Sequence, residues 1–235
     1  MNNKTANQIL KKVIKDYTKI AEEFDETRKK DWDEFDLFIK YIENGQKIAD
    51  LGCGNGRFYK FIKKHRKIHY IGIDNNEKLL EHATKSRSEP SLSEANTTSA
   101  KFIQGDILKI PLEKSNIDIA LAIASFHHLP SSKLRQKSLT EIHRILKKDG
   151  IFIISVWNLF QKKYKKYIWQ ARIRHILSFG KYDWRDTFIP WGKTGVKRYY
   201  YAFKAHELKN LLQKNGFKIL EEHKNNNLIF ICQKQ

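Results

Sequence analysis

Residues 50–56 of this chain read Asp-Leu-Gly-Cys-Gly-Asn-Gly, and this segment constrains the fold more than any other. It follows an apolar stretch, residues 47–51, that predicts a strand, and it precedes residues 57–67, which predict a helix. Glycine allows a tight turn and lets a ligand approach the backbone closely, and it occurs here three times, at Gly52, Gly54 and Gly56. The segment therefore predicts a ligand-binding loop between a strand and a helix.

Predicted strands and helices alternate along the rest of the chain. The further strands span residues 68–74, 101–104, 117–124, 151–157, 217–222 and 228–232, the last two as an antiparallel pair. The further helices span residues 5–24, capped by Thr5, then 76–86, 131–148, ended by Asp149-Gly150, and 205–215, ended by Gly216. Residues 86–99 are rich in Ser, Thr and Asn and predict a loop. This order predicts an α/β fold: a Rossmann-like, seven-stranded, mostly parallel sheet with an antiparallel C-terminal strand and helices on both faces.

The composition excludes several classes of protein. With 40% hydrophobic residues in a chain of 235, a core can form, so the chain is not predicted to be disordered. The longest apolar run, residues 119–124, is far shorter than the roughly 18 residues of a membrane span, and the N-terminus lacks a signal-peptide pattern. Two cysteines, Cys53 and Cys232, are too few for a disulfide framework or a structural zinc site. We therefore expect a cytoplasmic protein with no membrane partner and no bound metal.

The positive charge is concentrated after the fifth predicted strand. The whole chain has 45 Lys and Arg against 26 Asp and Glu, a net charge of +19. Residues 157–204 contain 12 of the basic residues but only Asp183 and Asp186 as acids, and they contain 14 of the 29 aromatic residues. Because basic side chains neutralise phosphates and aromatic rings stack on unpaired bases, this insertion is suited to single-stranded RNA. The alternative is a packed insertion whose aromatic residues form a core and whose lysines are solvated.

Acidic residues at the strand ends predict the ligand of the glycine loop. Asp74 ends the second strand, 18 residues after Gly56, where its carboxylate can accept hydrogen bonds from both ribose hydroxyls of an adenosine. The loop spacing is D-x-G-x-G-x-G rather than the G-x-G-x-x-G of a dinucleotide-binding domain, which is the alternative. Asp50 at the start of the loop suits the ammonium and sulfonium groups of S-adenosylmethionine. The other predicted cofactor residues also lie at strand ends: Asn75 after the second strand and Ala124 at the end of the fourth. After the third strand, Asp106 is predicted to bind the adenine amino group and Ile107 to contact the adenine ring.

Two further segments complete a recognisable pattern: His127-His128-Leu129 after the fourth strand and residues 141–150 before the fifth. With them, residues 45–232 resemble the class I S-adenosylmethionine-dependent methyltransferases. The chain is similar in particular to the tRNA wobble-uridine methyltransferases, which esterify 5-carboxymethyluridine and include the methyltransferase half of the AlkB-type tRNA hydroxylase. That resemblance is carried by residues 17–32 and by the motifs Ser155-Val156-Trp157, Ile189-Pro190-Trp191 and Arg198-Tyr199-Tyr200. The short lysine-rich stretch before Asp186 and the run from Gly192 to Gly195 depart from the family pattern, which leaves open a carboxymethyl or a carboxymethoxy group on the uridine.

The resemblance implies that the enzyme methylates the carboxylate of a wobble uridine in the tRNA anticodon loop and forms a methyl ester. A carboxylate, with a pKa of about 4, is ionised at neutral pH, so the reaction needs its alignment rather than a general base. Arginine can hold a carboxylate through two parallel hydrogen bonds, which makes Arg28 and Arg198 the predicted clamp. One of His127 and His128 is predicted to face the substrate, and Tyr17 either covers the cofactor or packs in the core.

The predicted layout is an N-terminal helical cap over residues 1–44 and a methyltransferase domain over residues 45–235, with a substrate-binding insertion at about 157–204. The resemblance adds a small zinc-containing activator subunit, used by the eukaryotic relatives, as a candidate partner. Two other functions are open: a methyltransferase of small acidic metabolites, with the insertion as a lid, and a non-enzymatic RNA-binding subunit. The intact glycine loop and acidic residues argue against the second, and the charge of the insertion favours tRNA over a metabolite.

Overall fold

The computed structural model describes residues 1–85 and 99–235, so the loop predicted at residues 86–99 lies, except for Ser99, outside the described residues. Its strands are, in chain order, β1 Lys47–Leu51, β2 His69–Asp74, β3 Ser99–Gln104, β4 Ile117–Ile123, β5 Leu146–Trp157, β6 Asp186–Pro190, β7 Lys197–Tyr201, β8 Phe217–Lys224 and β9 Asn227–Lys234. Seven of them form one sheet in the order β3-β2-β1-β4-β5-β9-β8. The first five strands pair in parallel, and β9 runs antiparallel to both β5 and β8. The predicted α/β sheet is therefore confirmed.

Helices cover both faces of this sheet. The helices are α1 Asn3–Lys19, α2 Ala21–Glu26, α3 Phe35–Phe38, α4 Arg57–Ile62, α5 Glu77–Lys85, α6 Ser132–Ile145, α7 Lys165–Leu177 and α8 Ala205–Lys214. Successive residues of a strand point to opposite faces, and β4 shows this clearly. Ala120 and Ala122 pack with apolar residues of α6 and α8, whereas Ile119 and Leu121 pack with phenylalanines of α3 and α4.

The N-terminal helix differs from the sequence prediction. It begins at Asn3 rather than residue 5, because the side chain of Asn2 accepts a hydrogen bond from the Thr5 amide at 2.8 Å and caps it. The predicted cap, Thr5, is buried inside the first turn. The helix also stops at Lys19 and restarts at Ala21, so the predicted single helix over residues 5–24 is two helices. The break lets α2 cross over the carboxyl edge of the sheet.

Two other predicted helix ends were wrong. The helix at residues 57–67 ends at Ile62, where the amides of Lys64 and His65 donate to carbonyls three residues before them and form a tighter turn. The Lys67 carbonyl then accepts a hydrogen bond from Gly45 in the loop before β1. The helix at residues 131–148 ends at Ile145. Asp149, with φ of 61°, and Gly150 do not cap it but lie inside β5, where they produce a bulge against β4. A Cβ atom on Gly150 would stand 3.1 Å from the Asp118 carbonyl oxygen, a close contact that the bulge avoids with glycine.

The basic, aromatic insertion folds into α7 and the antiparallel hairpin β6–β7. Successive side chains of β7 point to opposite sides of the hairpin, as they do in any strand. Tyr199 and Tyr201 pack into the main core, whereas Tyr200 packs with Ile168 of α7 and Arg198 shares its side of the strand. No helix in the described part of the chain is long and apolar enough to cross a membrane.

Candidate active site

A cavity opens at the carboxyl ends of β1, β2 and β4, where open α/β sheets bind ligands, and α1 and α2 cover it. The glycine loop forms its floor. Gly52 has φ of 83°, and a Cβ atom there would stand 2.4 Å from Cβ of Ser125, so no other residue fits without displacing the end of β4. Gly54 lines the cavity as well. Gly56 does not line it; with φ of 72° it forms the N-terminal cap of α4.

Asp50 brings a buried carboxyl group to the loop. The Tyr70 hydroxyl donates to Oδ2 of Asp50 at 2.5 Å, and both residues are buried. Oδ1 is buried as well and has no hydrogen-bond partner among the described residues. Burial raises the pKa of Asp50 to about 7, against the opposing effect of the Tyr70 hydrogen bond. This oxygen at the cavity wall is an acceptor that lacks its donor, and a cationic ammonium group would supply one.

Asp74 is oriented by the backbone around it. Its Oδ2 accepts from the Gly54 amide and its Oδ1 from the Asn76 amide, both at 2.8 Å. Each oxygen keeps a further lone pair, and the residue lines the cavity together with Asn75. Burial raises the pKa of Asp74, whereas the two amide hydrogen bonds lower it. This carboxylate at the end of β2 is placed to accept from two vicinal hydroxyls.

The remaining predicted cofactor residues also line the cavity. Asp106 and Ile107 lie beside Asp74 on its rim, and one oxygen of Asp106 accepts from the Leu108 amide at 2.8 Å. Ala124 ends β4 with φ of 51°, a left-handed conformation that a hydrogen bond of 2.8 Å from its amide to the Ser155 carbonyl holds in place. Ile107 and Ala124 supply apolar surface next to these polar groups.

Arg57 is a cavity residue that the sequence analysis missed. It is the first residue of α4, directly after the glycine loop, and its guanidinium packs 4.6 Å from the centre of the Trp32 ring. Its Nε donates to the Lys30 carbonyl at 2.6 Å, whereas its buried Nη1 has no partner among the described residues. Burial, with Arg28 nearby, lowers the pKa of Arg57 to about 10, which leaves it charged. A basic residue at the start of a helix after a glycine loop is the signal that could have found it, because helix N-termini bind anions.

These groups fit S-adenosylmethionine as a set. The unpartnered oxygen of Asp50 suits its ammonium group, the unpartnered nitrogen of Arg57 suits its carboxylate, and Asp74 suits its ribose hydroxyls. The polar groups at Asp50 and Arg57 are of opposite charge, as the two ends of an amino acid require. The donor set thus matches the amino-acid and adenosine parts of the cofactor without a phosphate site.

The two histidines both line the cavity, and both are held neutral. His128 Nδ1 donates to the Tyr199 carbonyl at 2.6 Å, so its Nε2 accepts from the Tyr17 hydroxyl at 2.9 Å. Burial lowers the pKa of His128 to about 3. His127 accepts at Nδ1 from the Trp157 amide at 3.1 Å, and burial lowers its pKa well below the usual value. Both rings are therefore fixed in one tautomer and carry no charge at neutral pH.

The predicted clamp residues meet at one aromatic ring. The guanidinium carbons of Arg28 and Arg198 lie 5.0 and 4.3 Å from the centre of the Trp191 ring. Arg198 also faces the rings of Tyr17 and Tyr200, and its Nη1 donates weakly to the Tyr17 hydroxyl at 3.3 Å. Within residues 1–85 and 99–235, neither arginine pairs with a carboxylate, and Arg198 Nε is buried with no partner. Burial and the charge of Arg198 lower the pKa of Arg28.

The structure thus brings thirteen of the fourteen predicted site residues to one cavity and leaves out only Gly56. Tyr17 is half-buried and lines the cavity, with its ring against Phe24 of α2, so it does not lie in the core, and its role over the cofactor stays a prediction. Cys53 is buried with its pKa raised, as expected of a packing residue. Like Arg57, the residues Trp157, Trp191 and Tyr200 lie at or beside the site without a role predicted from the sequence. All three belong to the motifs that carry the family resemblance, and this membership is the sequence signal that could have found them.

Comparisons with known proteins agree with this geometry. A family model described as a methyltransferase domain matches residues 49–154. The tRNA (carboxymethyluridine(34)-5-O)-methyltransferase of Schizosaccharomyces pombe is 27% identical over 227 residues, which cover 87% of this chain and 88% of the relative. The mouse protein of that name, ALKBH8, is 28% identical over 161 residues, 67% of this chain and 22% of the mouse protein.

Solved structures share the fold. A S-adenosylmethionine-dependent methyltransferase from Methanosarcina mazei superimposes with a TM-score of 0.72 at 21% identity, over 84% of this chain and 96% of that one. A methyltransferase from Haloferax volcanii, solved in complex with the Trm112 methyltransferase activator, gives 0.65 at 14% identity, over 94% of this chain and 97% of that one. The domain match and the curated relatives show an S-adenosylmethionine-dependent methyltransferase domain at residues 49–154, and the solved structures share the fold of the chain.

Proposed function

We propose that this enzyme methylates the carboxylate of a 5-carboxymethyl-type uridine at the wobble position of tRNA and produces a methyl ester. The observation that carries the proposal is the pair Arg28 and Arg198, which meet at Trp191 beside the cofactor site without an acidic partner among the described residues. Two like charges in a mostly buried aromatic setting favour an anion between them, since each lacks compensation. A substrate carboxylate is an anion of the right charge and of the shape that guanidinium groups bind.

The residues around this pair are suited to align a nucleophile that needs no base. A carboxylate is already ionised at neutral pH. When bound, S-adenosylmethionine supplies the electrophilic methyl group. His128, neutral and hydrogen-bonded on both sides, holds the Tyr17 hydroxyl, and Tyr17 in turn contacts Arg198. This chain of contacts fixes the position of the Arg198 guanidinium, and the aromatic rings exclude water that would screen the clamp.

The insertion supports a polyanionic substrate. Its lysines at positions 162, 163, 165 and 166 are exposed next to Tyr164, whose ring stacks on Trp157 at the cavity wall. The relatives named as tRNA carboxymethyluridine methyltransferases span most of the chain in one case and two thirds in another. A small acidic metabolite would use the same arginines but not this basic surface. We also propose residues 1–44 as a helical cap, residues 157–204 as the substrate-binding insertion and a Trm112-like activator as a partner.

The decisive experiment is single-turnover methylation of tRNA that carries the unesterified uridine, with and without an activator subunit. Arg28→Lys and Arg198→Lys keep a positive charge but lose the planar pair of donors, so we expect turnover to fall about 100-fold with little change in tRNA or cofactor affinity. Arg185→Lys is the matched control, because Arg185 pairs with Glu207 outside the cavity. Full activity of both clamp variants would refute the clamp, and methylation of small acids in preference to tRNA would refute the substrate.

A further inference from the structure

One face of α7 carries exposed cations and an exposed tryptophan side by side. Lys165, Trp169 and Arg172 are exposed, and 64% of the Trp169 surface is accessible. These positions lie within about 60° of one another around the helix axis, because successive residues turn by about 100°. The neighbouring face, with Ile168 and Ala171, is buried, and the helix packs against the hairpin strand β6. We call Lys165, Trp169 and Arg172 the α7 face.

The α7 face begins at the rim of the cavity. Trp157 lines the cavity and stacks on Tyr164 with ring centroids 6.1 Å apart and an interplanar angle of 24°. Tyr164 is the residue at the N-terminal cap of α7. From there to Trp169 the helix rises by only about 7.5 Å. A nucleotide next to the one bound in the cavity could therefore reach the Trp169 ring.

The cations near this ring lack acidic partners. In the described part of the chain, the ion pairs involve other residues, and Lys165 and Arg172 form none. Arg172 lies 6.0 Å from the centre of the Trp184 ring, whereas the Trp169 ring has no stacking or cation contact with another described residue. Uncompensated cations beside a free aromatic ring are the two components of a single-stranded nucleic-acid site.

We propose that the α7 face binds the unpaired nucleotide adjacent to the target uridine, with its base stacked on Trp169 and its phosphates on Lys165 and Arg172. This inference rests on the proposed function, since it takes tRNA as the substrate. A protein partner would prefer the far end of the helix, where Leu177 and Phe179 are 74% and 99% exposed. The charge, however, is on the α7 face at the end nearest the cavity, where the RNA chain must leave.

The test measures binding of the full-length protein to a synthetic anticodon stem–loop that carries 5-carboxymethyluridine. We expect Trp169→Ala to weaken binding about 5- to 150-fold, the range for the loss of one stacked base, and Trp169→Phe to retain most of the affinity. Phe179→Ala is the matched control, an exposed aromatic residue at the far end, and should bind like the wild type. Two further RNAs lack the base on the 5′ or the 3′ side of the uridine. For one of these two RNAs, Trp169→Ala should bind with the same affinity as the wild type, because the base that stacks on Trp169 is missing.

Each outcome decides for or against the α7 face. Three results would overturn it. The first is an unchanged RNA affinity of Trp169→Ala, and the second is an equal loss of affinity in Phe179→Ala. The third is a loss of affinity in Trp169→Ala that is as large for both RNAs that lack a base as for the complete RNA. Loss of a protein partner with RNA binding intact would overturn it as well. Because binding is measured without methyl transfer, a wild-type protein that binds the loop through Trp169 but does not methylate it, with or without an activator subunit, refutes the proposed function and supports the α7 face. Methylation of the loop by a protein whose RNA affinity does not respond to Trp169→Ala refutes only the α7 face.

Discussion

The pH dependence of cofactor binding should report on Asp50. Its pKa is about 7 in the folded protein, so the carboxyl group is largely protonated at pH 5.5 and half ionised at pH 7. If the ammonium group of S-adenosylmethionine binds the ionised form, affinity should increase about 16-fold between these two pH values, or about 1.6 kcal/mol. Calorimetric titration of the wild type with the cofactor across this range measures the effect directly.

Two variants separate Asp50 from other titrating groups. Asp50→Asn cannot ionise, so its affinity should be low and nearly independent of pH. Tyr70→Phe removes the hydroxyl that donates to Oδ2 at 2.5 Å and lowers the pKa of Asp50, so the inflection should move to higher pH. An Asp50→Asn variant with the same pH dependence as the wild type would refute the assignment.

The stability of the cofactor-free protein provides a second measurement with a defined sign. The pKa of Asp50 is higher in the folded state than the ordinary value of about 3.9 in the unfolded chain. A folded state that binds the proton more tightly is favoured at low pH, so this contribution to stability is lost as the pH rises from about 4 to 7. The thermal midpoint of the wild type should therefore fall relative to that of Asp50→Asn over this range. Saturating cofactor should reduce the difference.

Three further predictions concern other parts of the site. Asp74→Ala should weaken S-adenosylmethionine binding about 10- to 150-fold, as the loss of charged hydrogen bonds to the ribose requires, and unchanged calorimetric affinity would remove Asp74 from the site. Because the pKa of His128 is lowered to about 3, the wild type should lose unfolding free energy as the pH falls below about 6.5, and His128→Gln should lose less in acid denaturation; an identical acid profile would contradict this. The logarithm of tRNA affinity should fall linearly with the logarithm of salt concentration, and joint neutralisation of four lysines should make this slope shallower: Lys162, Lys163, Lys165 and Lys166. An unchanged slope in that variant would show that these lysines face solvent and do not contact phosphates.

Elements whose cause is local could be predicted from the sequence. The strand, glycine loop and helix over residues 47–62 follow from the spacing of apolar residues and from the positions of the glycines. In the structure the strand and the helix begin at the predicted residues, Lys47 and Arg57. The position of Asp74 at a strand end follows from the same periodicity. Helix ends were less predictable, because Asp149-Gly150 has the same left-handed preference in a bulge as in a helix cap. The pairing of β5 with β4 and β9 decides between them, and a local pattern contains no information on that register.

The sequence by itself therefore determined the fold class, the cofactor loop and the residue types of the site, since dihedral preference and strand alternation act over a few residues. Only the tertiary structure decided that Arg28, Trp191 and Arg198 meet at one ring, because they come from segments far apart in the chain. It likewise decided the charge state of the histidines. His128 is neutral because folding removes it from water and places the Tyr199 carbonyl against one nitrogen and the Tyr17 hydroxyl against the other. Burial and hydrogen-bond partners from distant segments exist only once the chain has folded, and they set the chemistry of side chains whose identity was visible from the start.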